Sequence, residues 1–120
     1  MILGVSSRMY GVLGWGLPES AAHASSIGFN CLEVWLDREY CSFWRTSGEK
    51  PGFEELGEIL LVRDLRLFLH APKYDLNLSS PNPAVRRCAR REIEKSLHWA
   101  GILGAEAVTF HPGRLRRGVE

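Results

Sequence analysis

Leu67-Phe68-Leu69-His70-Ala71-Pro72 is one of two stretches built alike, the other being Val108-Thr109-Phe110-His111-Pro112-Gly113. Each is a short apolar run that closes on a histidine, with proline following within two residues. β-Branched and aromatic residues suit a strand, and proline, which lacks an N–H, stops the ladder. The pair predicts two histidines at the carboxyl ends of two parallel strands. That is where α/β folds carry their chemistry.

Working outward, Ile2–Ser7 reads as a first strand, followed by a turn-rich loop from Arg8 to Gly16. Pro18 suits the first turn of a helix, small residues run from Ser20 to Ser26, and Gly28 supplies a stop. Cys31–Asp37 reads as a second strand, and 38–52 as a long loop carrying Tyr40, Phe43, Trp44 and Arg45. Phe53–Val62 reads as a helix whose apolar positions are Phe53, Leu56, Ile59, Leu60 and Val62. After the polar stretch Lys73–Asn82, Asn82 as N-cap and Pro83 as first residue open a helix that runs to about Leu103. Its apolar positions Val85, Cys88, Ala89, Ile93, Leu97, Ala100 and Leu103 recur with helical spacing. Gly104 ends it, and a fourth strand starts near Glu106.

Strands thus alternate with helices and no hairpin signal separates them, a pattern of right-handed crossovers and a parallel sheet. Strand parity sharpens this. Leu32, Val34 and Leu36, Leu67 and Leu69, and Val108 and Phe110 define an apolar face. Glu33, Trp35, Asp37, Phe68, His70, Thr109 and His111 fall on the other. A doubly wound sheet is apolar on both faces, whereas a polar second face fits the inside of a barrel near its catalytic rim. The expected fold is α/β: the first half, about four βα units, of a TIM (β/α)8 barrel, as one partial domain over residues 1–120. A whole barrel needs about 250 residues. The chain therefore reads as a truncated chain lacking a carboxyl-terminal half, as half of an assembly with a partner or a second copy, or as an open four-stranded domain.

Composition narrows the class further. Hydrophobic residues make up 45% and charged residues 24%, ordinary for a globular protein, and the formal charge of +1 favours no nucleic-acid partner. No basic, apolar leader opens the chain, and no run approaches the roughly 18 apolar residues of a membrane span. Cys31, Cys41 and Cys88 form neither a C-x-x-C pair nor an even disulfide set, which fits a reduced, cytoplasmic setting.

Imidazoles on adjacent strand ends can reach one divalent ion, since strands lie about 4.8 Å apart and zinc–nitrogen bonds are about 2.0–2.1 Å. The competing reading is one buried, hydrogen-bonded histidine and one loop histidine, without metal. A catalytic zinc takes three protein ligands, so a third must come from elsewhere. Glu33, on the same face, reads as a ligand, a general base or a group orienting an imidazole, or else as a carboxylate paired with a cation such as Arg8. Asp37 reads as a loop cap. Tyr74 and Asn77 are rim positions able to meet a ligand's hydroxyl or phosphate groups. Trp44 and Arg45, with Tyr40 and Phe43, read either as a substrate lid or platform or as a seal on the core.

The run His70-Ala71-Pro72-Lys73-Tyr74-Asp75-Leu76-Asn77-Leu78-Ser79-Ser80, then Asn82-Pro83 and Arg86, then Leu103-Gly104-Ala105 through His111-Pro112-Gly113, resembles the xylose-isomerase-like TIM-barrel superfamily. The resemblance reaches the amino-terminal half of that barrel. It implies a metal-dependent sugar or sugar phosphate isomerase or epimerase, with zinc or manganese as the ion, His70 and His111 as ligands, and Glu33 at a catalytic position. The related endonuclease IV branch implies the alternative, a zinc-dependent abasic-site nuclease with DNA as partner and Arg45 as the residue entering it. That branch places an aromatic three residues after its first histidine. Here the position is Lys73 and the aromatic is Tyr74, which is closer to the sugar enzymes.

Overall fold

The computed structural model describes residues 1–37 and 53–115. Among these residues, four strands, β1 (Gly4–Ser6), β2 (Cys31–Trp35), β3 (Arg66–His70) and β4 (Ala107–Thr109), form one sheet in the order β1-β2-β3-β4. Every pairing is parallel. Among the described residues the helices are α1 (Ser7–Val12), α2 (Leu17–Ser26), α3 (Phe53–Val62) and α4 (Pro83–Leu103). Strand order follows chain order without a reversal, so there is no switch point of the doubly wound kind, and the sheet is a segment of a β/α barrel.

Parity decides which face is which. Leu32 and Val34 of β2 and Leu67 and Leu69 of β3 are buried, and they join Leu17 and Ala21 of α2, Phe53, Leu56 and Leu60 of α3, and Ala100 of α4 in one core. The alternate residues line the inner face in levels. Ser6, Glu33, Phe68 and Ala107 stand at one register, and Trp35, His70 and Thr109 at the next.

Several elements start and stop where local chemistry predicts. Pro83 opens α4 behind Asn82, whose Oδ1 accepts the Ala84 N–H at 2.9 Å, and Gly104 ends it with φ 68°. Gly28, at φ 99°, follows α2. The stretch expected to be loop from Arg8 differs, because it opens as α1. Ser6 is extended there and its Oγ accepts the Arg8 N–H, a side-chain cap that starts a short helix directly from the strand.

The buried side of α4 matches the expected one at Ala89 and Ala100 and departs from it elsewhere. Ala89, Ser96 and Ala100 are buried, whereas Leu97 and Cys88 are exposed. At about 100° per residue, 89, 96, 100 and 103 cluster on one side and 97 flanks it. Ser96 is tolerated inside because its hydroxyl donates to the Glu92 carbonyl at 2.8 Å. Val62, expected on the apolar side of α3, is likewise exposed. No helix among the described residues is long and apolar enough to cross a membrane.

Candidate functional site

The inner face is organised around Trp35. The His70 ring stacks on its indole with centroids 4.1 Å apart and planes 14° from parallel. The two residues are register partners on adjacent strands, which brings their side chains to one level. Indole Nε1–H donates to Glu33 Oε2 at 2.8 Å. Glu33 makes no ion pair with Arg8. Arg8 lies instead over the Trp35 ring, its guanidinium carbon 5.0 Å from the centroid, and Lys73 Nζ lies 4.7 Å from the centroid. Sequence reasoning placed Trp35 on this face without giving it a role. Its signal was an aromatic residue at a polar-face position next to a histidine-bearing strand.

His70 is buried, and its Nδ1 lies 2.9 Å from the Ala71 carbonyl oxygen. A carbonyl only accepts, so Nδ1 carries the proton and Nε2 keeps the lone pair, the tautomer of a metal-ligating histidine. His111 is exposed, and its ring centroid lies 5.2 Å from that of His70 at 52°. The two histidines are thus neighbours at the carboxyl ends of β3 and β4, with a free ring nitrogen on His70. Their chemistry fits one divalent ion. Among the described residues, no three His, Cys, Asp or Glu side chains come together as a ligand set.

Two clasps hold the rim. Asp37, buried at the end of β2, accepts the Lys73 N–H at 2.9 Å and the Tyr74 N–H at 3.5 Å, which makes it a cap on the turn after β3. Its other oxygen has no hydrogen-bond partner among the described residues. Asn77 joins the loops after β3 and β4. Its Oδ1 accepts the N–H groups of Ser79 (3.0 Å) and Arg114 (2.9 Å), and its Nδ2 donates to the Arg114 carbonyl at 2.9 Å. Ser79 Oγ adds a bond to the Pro112 carbonyl at 3.1 Å. Gly113, at φ 110°, fits only because it lacks a side chain, since a Cβ there would stand 2.3 Å from Asn77 Oδ1.

These loops enclose a cleft of about 470 Å³ lined by Lys73, Tyr74, Asp75, Asn77, His111 and Arg114 among others. Its size is that of a small-molecule site. Tyr74 and Asn77 therefore line one cleft with His111, although both acceptor positions of the Asn77 amide oxygen are taken by backbone. Trp44 and Arg45 lie outside the described residues.

The strands' opposite ends carry structural pairs. Arg66 and Glu106 form a two-pronged ion pair in which the guanidinium holds the Glu106 carboxyl below its ordinary range. Burial pushes the Cys31 thiol up, as expected of an inert core cysteine.

A barrel segment with polar side chains at the carboxyl ends of its strands is the framework on which barrel enzymes build active sites. The chain belongs to the xylose isomerase-like TIM barrel family, whose family model matches residues 21–120. Over 88 residues it is 31% identical to the uncharacterized protein MJ1188 of Methanocaldococcus jannaschii, a match that covers 73% of this chain and 31% of that protein. Among solved structures, it superposes on a D-tagatose 3-epimerase-like protein with a TM-score of 0.76 at 26% identity, over 98% of this chain and 40% of that one. It superposes on a D-allulose 3-epimerase from Methylomonas sp. with a TM-score of 0.67 at 15% identity, over 98% and 41%, a likeness of fold. The chain thus spans about two fifths of these structures and under a third of the curated relative.

Proposed function

We propose that the protein is a sugar isomerase/epimerase-type domain acting on a small sugar or sugar phosphate. The observation that carries the reading is the meeting of His70, His111, Trp35 and Glu33 on one inner face beside the cleft. In this reading His70 and His111 are two ligands of a divalent ion, zinc or manganese, and a further ligand comes from outside the described residues. Such an ion, when bound, polarises the oxygens of a carbonyl or hydroxyl group.

The chain's own residues do the rest. The Ala71 carbonyl holds the His70 ring with Nε2 outward. The Trp35 N–H orients Glu33 through one oxygen, and the other is free to take a proton from a carbon beside a carbonyl. Tyr74 walls the cleft. The similarity to the D-tagatose 3-epimerase-like protein supports this reading over the nuclease, as does Lys73 in the third position after His70.

The test is calorimetric titration of zinc and manganese into the protein and its His70→Ala and His111→Ala variants, with ketose epimerisation followed by chromatography. Loss of one tight metal site in both variants, together with loss of turnover, is the expected result. Metal binding and turnover unchanged in either variant would refute the reading.

A further inference from the structure

We infer that Asn77 is a positioning residue for His111: with Ser79 it holds the loop after β4 so that the His111 imidazole stays beside that of His70. The inference deepens the isomerase/epimerase reading and rests on it only for the ion that the two histidines share.

The two histidines are held in different ways. His70 lies within β3, in register with Trp35 on one side and Thr109 on the other, and its ring is stacked and hydrogen-bonded. His111 stands two residues beyond the end of β4 and is exposed. At that end of the strand pair the Ala71 N–H donates to the Thr109 carbonyl at 2.8 Å, and the register does not reach His111. Beyond Thr109, side chains from the loop after β3 take over. Ser79 Oγ donates to the Pro112 carbonyl at 3.1 Å. Asn77 accepts the Arg114 N–H and donates to the Arg114 carbonyl, both at 2.9 Å. The chain is therefore tied down on both sides of His111.

Asn77 suits this task because one amide both accepts and donates. Its Oδ1 also takes the Ser79 N–H at 3.0 Å, a local turn that fixes the Asn77 side chain within its own loop. Gly113 lets the two loops close, since at φ 110° a Cβ would stand 2.3 Å from Asn77 Oδ1 and 2.7 Å from the Ser79 nitrogen. A ligand side chain on a free loop has to be ordered when an ion binds, and that ordering weakens binding. The clasp orders His111 in advance. Groups that orient a ligand in this way typically alter metal affinity by about 10–100-fold.

The test combines a measurement without metal and one with it. In NMR of the metal-free protein, the imidazole protons of His70 and His111 should show a nuclear Overhauser contact, since their ring centroids lie 5.2 Å apart. Asn77→Ala and Gly113→Ala, which open the clasp from opposite sides, should weaken or abolish that contact. In calorimetric titration, both variants should bind zinc and manganese about tenfold more weakly than the wild type. The Asn77→Ala, His111→Ala double variant should bind no more weakly than His111→Ala alone, because the clasp acts through that imidazole. Arg66→Gln, at the opposite ends of the strands, should move neither measurement, which separates positioning from a general loss of stability. Circular dichroism checks folding. If Asn77→Ala does not fold, Ser79→Ala, which removes a single bond, should still weaken the ion about threefold. A contact missing from the wild type, or unmoved in folded Asn77→Ala, would overturn the inference. So would equal weakening by Asn77→Ala with and without His111. If metal binding depends on His111 but is unmoved by Asn77→Ala, the positioning role fails and the isomerase/epimerase reading stands. If the contact depends on Asn77 but the wild type binds neither metal, that reading fails and the positioning role stands.

Discussion

Replacing Trp35 separates what its ring contributes from what its N–H contributes. In the Trp35→Phe variant an aromatic face remains for His70, Arg8 and Lys73, and the lost element is the 2.8 Å bond to Glu33. A hydrogen bond to a charged acceptor contributes about 1.5 kcal/mol at a half-buried site. Trp35→Ala removes the stack as well, at about 1 kcal/mol. It also removes two cation–ring contacts at about 0.5 kcal/mol each. The alanine variant should therefore lose about 3.5 kcal/mol, and the phenylalanine variant about 1.5 kcal/mol. Urea unfolding followed by far-ultraviolet circular dichroism measures both without relying on the indole's own fluorescence. Equal losses for the two variants would refute the argument that the stack on His70 organises this face. A phenylalanine variant as stable as the wild type would show that the Glu33 bond contributes nothing.

Two further perturbations test the rim and the opposite end of the sheet. Gly113→Ala combines a positive φ with a Cβ set against Asn77 and Ser79, and it should cost at least about 2 kcal/mol in urea unfolding. A loss below about 0.5 kcal/mol would show that the two loops are not clasped as described. At the other end, the folded pKa of Glu106 lies below its unfolded value because of Arg66. The pair therefore stabilises the fold above the unfolded carboxylate pKa and loses that contribution as pH falls through the folded one. Arg66→Gln should return the Glu106 carboxyl to its ordinary range in an NMR titration and flatten this acid-side dependence. An unmoved Glu106 titration would mean the pair is not formed in solution.

The extent to which the molecule was legible from its residues differs between elements and site. Asn82-Pro83 and Gly104 bracket α4, and apolar spacing places α3 over Phe53–Val62, because caps, turn residues and helical period are local properties. The alternation Leu32, Val34 against Glu33, Trp35 marks the inner face for the same reason. The start of α1 was missed because its signal, a single serine cap on a strand end, resembles turn chemistry. On α4, Ala89 and Ala100 pack inward as their spacing predicts, whereas Leu97, favoured by hydrophobicity alone, is exposed and Ser96 takes a buried position beside them.

What the sequence by itself determined was the βα alternation, the half-barrel class, and two histidines on one face at neighbouring strand ends. Only the tertiary structure decided that His70 lies stacked on Trp35, that Glu33 is held by the indole and not by Arg8, and that Asn77 locks one loop to the next. The physical reason is range. Periodicity, caps and prolines act over a few residues and can be read along the chain. The contacts at the site depend on the register between parallel strands joined by long crossovers, and no local pattern encodes that register.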